Sequence, residues 1–237
     1  YMLCLFAAAA VTYLLTPPVR ALALKWGIVA PVRDRDVHNT TTPRLGGLAM
    51  FGGLLTGLLL ASKLPMISAV FDGSQIVVAL LSGALIIVIL GIIDDKWGLD
   101  APTKLAGQVL AAGVMAFQGI AIIWLPFGGT FVLDPITSVL FTVIIVLISI
   151  NAINFVDGLD GLAAGIVTVA AGAFFVYAYL LSVELGLERA TLATLVSVLL
   201  VGMGIGFLPH NLFPARIFMG DTGSMLLGLL LAAATIT

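Results

Sequence analysis

Long apolar runs, with nearly all the charge confined to the links between them, constrain this chain more than any other feature. Eight runs occupy residues 1–24, 45–61, 76–93, 105–124, 136–150, 162–182, 190–208 and 225–237. A helix that crosses a bilayer needs roughly 20 largely apolar residues. The fifth run is short, and the eighth stops with the sequence. Only 9% of the residues are charged and 61% are hydrophobic, whereas a soluble domain carries about 25% charged residues. Such a chain cannot cover itself with a solvated skin, so lipid is the solvent for most of its surface. The expected fold is all-α, a polytopic membrane helix bundle with eight transmembrane helices and a single integral-membrane domain over residues 1–237. Several runs contain glycine, which lets membrane helices approach closely. The first run starts at Tyr1 without Met or a basic leader, and the last is still apolar at Thr237. Both ends look cut, which suggests part of a larger membrane protein and no signal peptide. A net charge of -2 gives no basic footprint for nucleic acid. Cys4 is the single cysteine, which excludes an internal disulfide and a cysteine-based zinc site.

If every run crosses, the links at 25–44, 94–104, 151–161 and 209–224 share one side, and those at 63–75, 125–135 and 183–189 share the other. Arg20, Lys25, Arg33, Arg35, Arg44, Lys96, Lys104 and Arg216 fall on or beside the first side, against Lys63 and Arg189 on the second. The positive-inside rule makes the first side cytoplasmic. The polar motifs lie there too.

The link after run three reads GIIDDKWGLDAPTKLAGQ. Asp94 and Asp95 follow directly on an apolar helix, where the macrodipole already presents negative charge. Two adjacent carboxylates also repel, by about a few kcal/mol at an effective dielectric near 20. A cation or a proton relieves both problems, which favours a functional reading over the plainer account of a solvated helix end. The link after run five, SINAINFVDGLDGLAAG, repeats Asn151, Asn154, Asp157 and Asp160 at every third residue. On a helix the first three share one broad face. Charge entering an apolar run costs roughly 2.5–3.5 kcal/mol per group near a membrane centre, so a purely structural bridging role is the weaker account. In the last link, Asp221 with Thr222, Gly223 and Ser224 suits the start of helix eight, either as a cap or as a phosphate site. Arg216 is a cation able to grip phosphate, and His210 is open to two readings, general acid or base, or hydrogen-bonding spacer. In the first link, VRDRDVHNTTTPRLGGLAMFGG, Pro43-Arg44 before Gly46-Gly47 puts one cation where backbone can approach a ligand. Arg33 and Arg35 suit plain topology signals. Asp72, Asp134, Glu184 and Glu188 on the other side read as solvated loops. Convergence of Asp94, Asp95, Asp157, Asp160 and Asp221, with no cysteine set, favours Mg²⁺ or Mn²⁺ over zinc.

With VHNTTTPRLGG, DDKWGLDAPTKLAGQ, NAINFVDGLDGLAAG and HNLFPARIFMGDTGS in that order, the chain resembles the polyprenyl-phosphate N-acetylhexosamine-1-phosphate transferases, glycosyltransferase family 4. The VH…PR-Gly-Gly form is similar to the branch using UDP-N-acetylglucosamine. The resemblance implies transfer of a sugar 1-phosphate from a UDP-sugar to a polyprenyl phosphate, with release of UMP, in the bacterial cytoplasmic membrane. It implies Mg²⁺ held chiefly by Asp221, with Asp94 and Asp95 as catalytic or metal-adjacent residues. It puts Asn154, Asp157 and Asp160 in the nucleotide and diphosphate pocket, with Asp157 also a catalytic candidate, and makes Lys104 and Arg216 phosphate contacts. Arg44, Asn151, His210 and Asn211 complete the substrate-binding candidates, and a homodimer is one candidate assembly. The family carries further helices and a His-containing cytoplasmic loop beyond the point that Thr237 reaches. Two rivals stand beside this reading: the phospho-N-acetylmuramoyl-pentapeptide transferase of peptidoglycan synthesis, and a cation-coupled transporter, since intramembrane acids mark ion paths.

Overall fold

In a computed structural model, residues 1–30, 41–65, 67–71, 75–125, 131–187 and 190–237 are described. Arg33, Arg35, His38, Asp72, Glu188 and Arg189 lie outside the described residues. Each apolar run forms a helix: α1 Met2–Lys25, α2 Gly46–Ala61, α3 Ile76–Trp97, α4 Ala101–Phe117, α5 Pro135–Val156, α6 Leu162–Tyr179, α7 Ala190–Asn211 and α8 Gly220–Ile236. A π-helical turn, Leu180–Glu184, continues α6. Two short antiparallel pairs join links that hydropathy left unstructured, β1 Val29–Ala30 with β2 Thr42–Pro43 and β3 Trp124–Leu125 with β4 Phe131–Val132.

Five helical spans, those starting at Met2, Ile76, Pro135, Leu162 and Ala190, are long and apolar enough to cross a membrane. The chain is thus a multi-pass membrane protein. The expected eight crossings are not carried by helix length alone. α2, α4 and α8 have 16, 17 and 17 residues, and 17 residues rise about 26 Å against a hydrocarbon core of about 30 Å. Outward positions stay apolar, with Phe155 91%, Ile136 83% and Phe117 81% exposed.

Several helices run past the ends of their apolar runs, because local caps and not hydropathy set the boundaries. α3 continues through Asp94 and Asp95 and stops at Gly98, whose φ of 70° suits a residue without a Cβ. α4 starts at Ala101, earlier than its run, with Pro102 in its first turn. It ends by Phe117, well before Trp124, which joins β3 instead. α5 begins where the Asp134 carboxylate accepts from the amides of Ile136 and Thr137, and it carries Asn151 and Asn154 on the helix itself. α7 likewise takes in His210 and Asn211.

α8 is the hub. It packs against α2, α3, α5 and α7, and is apolar and buried around most of its circumference, as expected of an interior helix. α1 packs on α2 and α7, α6 on α7, and α4 on α3 and α5. The α2–α8 crossing is so tight that a Cβ on Gly47 would lie 2.2 Å from the Gly223 nitrogen. Gly47→Val is therefore expected to lower stability by about 1–3 kcal/mol through overpacking. Thermal denaturation in detergent checks this, and an unchanged midpoint would rule out the close crossing.

Candidate active site

The first turn of α8 sits where four links meet. Its backbone approach is set by the 41–47 segment: the amide of Phe218 donates to the Pro43 carbonyl at 2.9 Å, and the amides of Gly46 and Gly47 donate to the Phe218 and Met219 carbonyls at 3.0 and 2.9 Å. Arg44 forms a parallel bridge with Phe218. The Arg20 guanidinium donates to the Arg216 carbonyl at 2.9 Å, which ties α1 to the same strand of backbone.

Side chains from three helices then converge on Asp221. Lys104, in the first turns of α4, forms an ion pair with Asp221 and a second with Asp94 of α3 at 2.7 Å. Asn154 of α5 donates from its amide to an Asp221 carboxylate oxygen and to Ser224 Oγ, the latter at 2.8 Å. The other Asp94 oxygen accepts from the Leu99 amide at 2.7 Å. Asp95 turns elsewhere: its two oxygens accept from the amides of Asp221 and Thr222, at 2.8 and 3.0 Å, and from Thr222 Oγ1 at 2.7 Å. The two neighbouring acids therefore have different partners.

Asp157 follows α5 directly and is half-buried. Burial pushes its carboxyl up to about 7; the charges of Asp221 and Asp95 push the same way, and Arg44 pulls against them. Asp157 thus lies within the electrostatic reach of Asp221, Asp95 and Arg44. When all are ionised, four carboxylates here (Asp94, Asp95, Asp157, Asp221) stand, among the described residues, with the two cations Lys104 and Arg44. That leaves a negative excess suited to a divalent ion.

The donor set meets the needs of Mg²⁺ in one respect and departs from the expected ligands in another. Among the described residues no group of three His, Cys, Asp or Glu side chains comes within ligating reach of one point. The expected trio of Asp221, Asp94 and Asp95 is therefore not a ready-made cage, since Lys104 occupies the space between Asp94 and Asp221 and α8 holds Asp95. Mg²⁺ is commonly bound through one or two carboxylates together with substrate phosphates and water. Asp221 and Asp157, acid-only oxygen donors beside each other's field, fit that mode.

Other candidates are held by the fold. Asn211 is buried, accepting from the Gly161 amide at 3.2 Å and donating to the Ile217 carbonyl at 3.1 Å. It braces the two loops. Asp160 accepts from the Ala215 amide at 2.9 Å and does similar work. His210 stacks near Tyr13, with ring centroids 4.7 Å apart, and its Nε2 lies 3.2 Å from the Tyr13 carbonyl. Asn151 donates to Gln108 Oε1 at 2.8 Å, one turn of helix from Asn154 but directed at α4. Arg216 is exposed at the rim. Sequence reasoning missed Gln108, which is buried and donates to Met225 Sδ at 3.3 Å. Its signal was its position four residues after Lys104, on the same face of α4. It also missed Thr222 and Ser224 as partners of Asp95 and Asn154.

Residues 77–237 match the model of Glycosyl transferase family 4. The decaprenyl-phosphate N-acetylglucosaminephosphotransferase of Mycobacterium tuberculosis is 48% identical over 97% of this chain and 58% of its own length. In Mycolicibacterium smegmatis, the protein of that name is 47% identical over 97% of this chain and 58% of its own length. The phospho-N-acetylmuramoyl-pentapeptide-transferase of the same organism is 34% identical, over 97% of this chain and 74% of its own length. The chain thus spans rather more than half the length of the N-acetylglucosamine relatives. A family model covering most of the chain, and relatives matching nearly all of it, converge on one conclusion: this chain belongs to Glycosyl transferase family 4.

Proposed function

We propose that this protein transfers N-acetylglucosamine 1-phosphate from UDP-N-acetylglucosamine to a polyprenyl phosphate, releasing UMP and forming a polyprenyl diphosphate sugar. The observation that carries the reading is the gathering of Lys104, Asn154 and Asp94 around Asp221 at the first turn of α8. The names of the relatives support the choice of sugar, since the identity to the N-acetylglucosamine enzymes exceeds that to the pentapeptide transferase in one organism.

In the reaction, an oxygen of the lipid phosphate forms a bond to the sugar-bearing phosphorus, and the bond from that phosphorus to the bridging oxygen breaks. The electron pair leaves on UMP. A lipid phosphate is already ionised near neutral pH, so the attack needs no strong base. The task of the side chains is then to bind and orient two anions. Lys104 and Arg44 supply cationic contacts beside the first turn of α8. Asp94 keeps the Lys104 ammonium at the site, while Asn154 fixes the rotamer of Asp221. Mg²⁺, or Mn²⁺ in its place, would be held by Asp221 and Asp157 and would neutralise diphosphate charge when bound. Arg20, Lys25, Lys96 and Arg216 share this end of the bundle, which supports a site on the cytoplasmic face of the bacterial inner membrane.

Full-length protein, assayed with polyprenyl phosphate and Mg²⁺, is expected to release UMP from UDP-N-acetylglucosamine at least tenfold faster than from UDP-N-acetylgalactosamine or UDP-N-acetylmuramoyl-pentapeptide. Preference for the pentapeptide donor would move the protein to the other branch, and no UMP from any donor would reject the transferase reading.

A further inference from the structure

We propose that Asp95 acts as a positioning residue, capping α8 from α3 so that Asp221 is held toward Lys104 and Asn154; it is neither base nor metal ligand. A helix start leaves backbone amides without partners. Those of α8 receive no side-chain cap from Met219, the residue at the capping position. The acceptor comes instead from another helix, far away in sequence: Asp95 takes the amides of Asp221 and Thr222 and the Thr222 hydroxyl. Three bonds commit both oxygens of the carboxylate, and a negative group is favoured at a helix N-terminus. The backbone is shaped to admit it. Gly220 has a φ of 69°, and a Cβ there would lie 2.5 Å from an Asp95 oxygen. Asp94, one residue earlier, makes none of these contacts and pairs with Lys104. The pair of acids therefore divides into one group that faces the site and one that holds its frame.

This inference rests on the transferase reading for its kinetic readout, and the experiment separates the two. Asp95→Asn keeps a carbonyl oxygen that accepts a backbone amide but cannot act as a base or an anionic ligand. It is expected to lose about tenfold in kcat, and Asp95→Ala about a hundredfold or more, since bonds to charged groups are the stronger ones. Asp95→Asn should keep the wild-type shape of the pH–rate profile. Hydrogen–deuterium exchange over residues 219–226 should quicken about tenfold in Asp95→Ala, less in Asp95→Asn, and not at all in Asp94→Asn. Should Asp95→Ala fail to fold, Asp95→Asn and Thr222→Val carry the test, the latter with a few-fold faster exchange. Equal inactivity of the Asn and Ala variants with exchange unchanged, or a pH profile altered in Asp95→Asn, would overturn the proposal. If the wild-type protein releases no UMP, the transferase reading fails by itself, and the exchange rates still decide the role of Asp95.

Discussion

Asp221→Ala is expected to reduce UMP release by roughly 10³-fold, the scale at which removal of a key electrostatic group acts in other active sites, while the helix that carries it stays in place. The physical reason is a separation of backbone from side chain. The carboxylate of Asp221 takes the Lys104 ammonium and the Asn154 amide, and it is the central candidate for holding Mg²⁺. Its backbone N–H, by contrast, donates to Asp95 at 2.8 Å, and alanine keeps that bond. Alanine also suits a helical position. The variant should therefore melt close to the wild type in detergent, and its residual rate should respond weakly to Mg²⁺ between low and saturating concentrations. Near-normal turnover in a folded Asp221→Ala protein would remove this residue from the centre of the chemistry.

Lys104→Met is expected to separate binding of the ion from turnover. Methionine preserves much of the length and apolar stem of lysine, so packing along α4 changes little. What disappears is a positive charge between Asp94 and Asp221. Two opposite consequences follow. The carboxylates lose a competitor for a divalent cation, so the Mg²⁺ concentration for half-maximal activity should fall several-fold. The donor diphosphate loses a cationic contact, so kcat/KM for the UDP-sugar should drop by about 10²-fold, as expected for an oriented charge in a partly buried site. Lys104→Arg should recover part of the rate but little of the geometry, because a guanidinium is planar and longer than an ammonium. A Mg²⁺ dependence that weakens in Lys104→Met, with kcat/KM intact, would contradict both the ion-pair competition and the phosphate contact.

Asp94 and Asp95 show where the sequence stops being informative. Their neighbourhood, two acids beside an apolar run, is visible in the primary structure and marks unusual chemistry on energetic grounds alone. Which acid does what is not. Adjacent residues on a helix point about 100° apart, so one of the pair meets Lys104 and the other meets the start of α8. That choice depends on where a helix more than a hundred residues later happens to pack. Asn151 and Asn154 repeat the lesson on α5: spacing puts them on one broad face, yet one reaches Gln108 and the other Asp221. Asn211 stands beside His210 in the sequence, and only the fold shows it buried with a bond to the Gly161 amide.

Composition and hydropathy determined the solvent of this protein, its helical class, the approximate position of each helix, and the gathering of the acidic motifs at one end of the bundle. Those properties follow from free energies summed over many residues, which tolerate local error. Helix ends were decided by single caps such as Gly98 and Asp134. The two short strand pairs, of two residues per strand, carry no periodic pattern. The cation between Asp94 and Asp221 and the capping of α8 by Asp95 arise only when helices remote in sequence are packed together. A contact of that kind has its energy in a distance between side chains, and no stretch of sequence contains that distance.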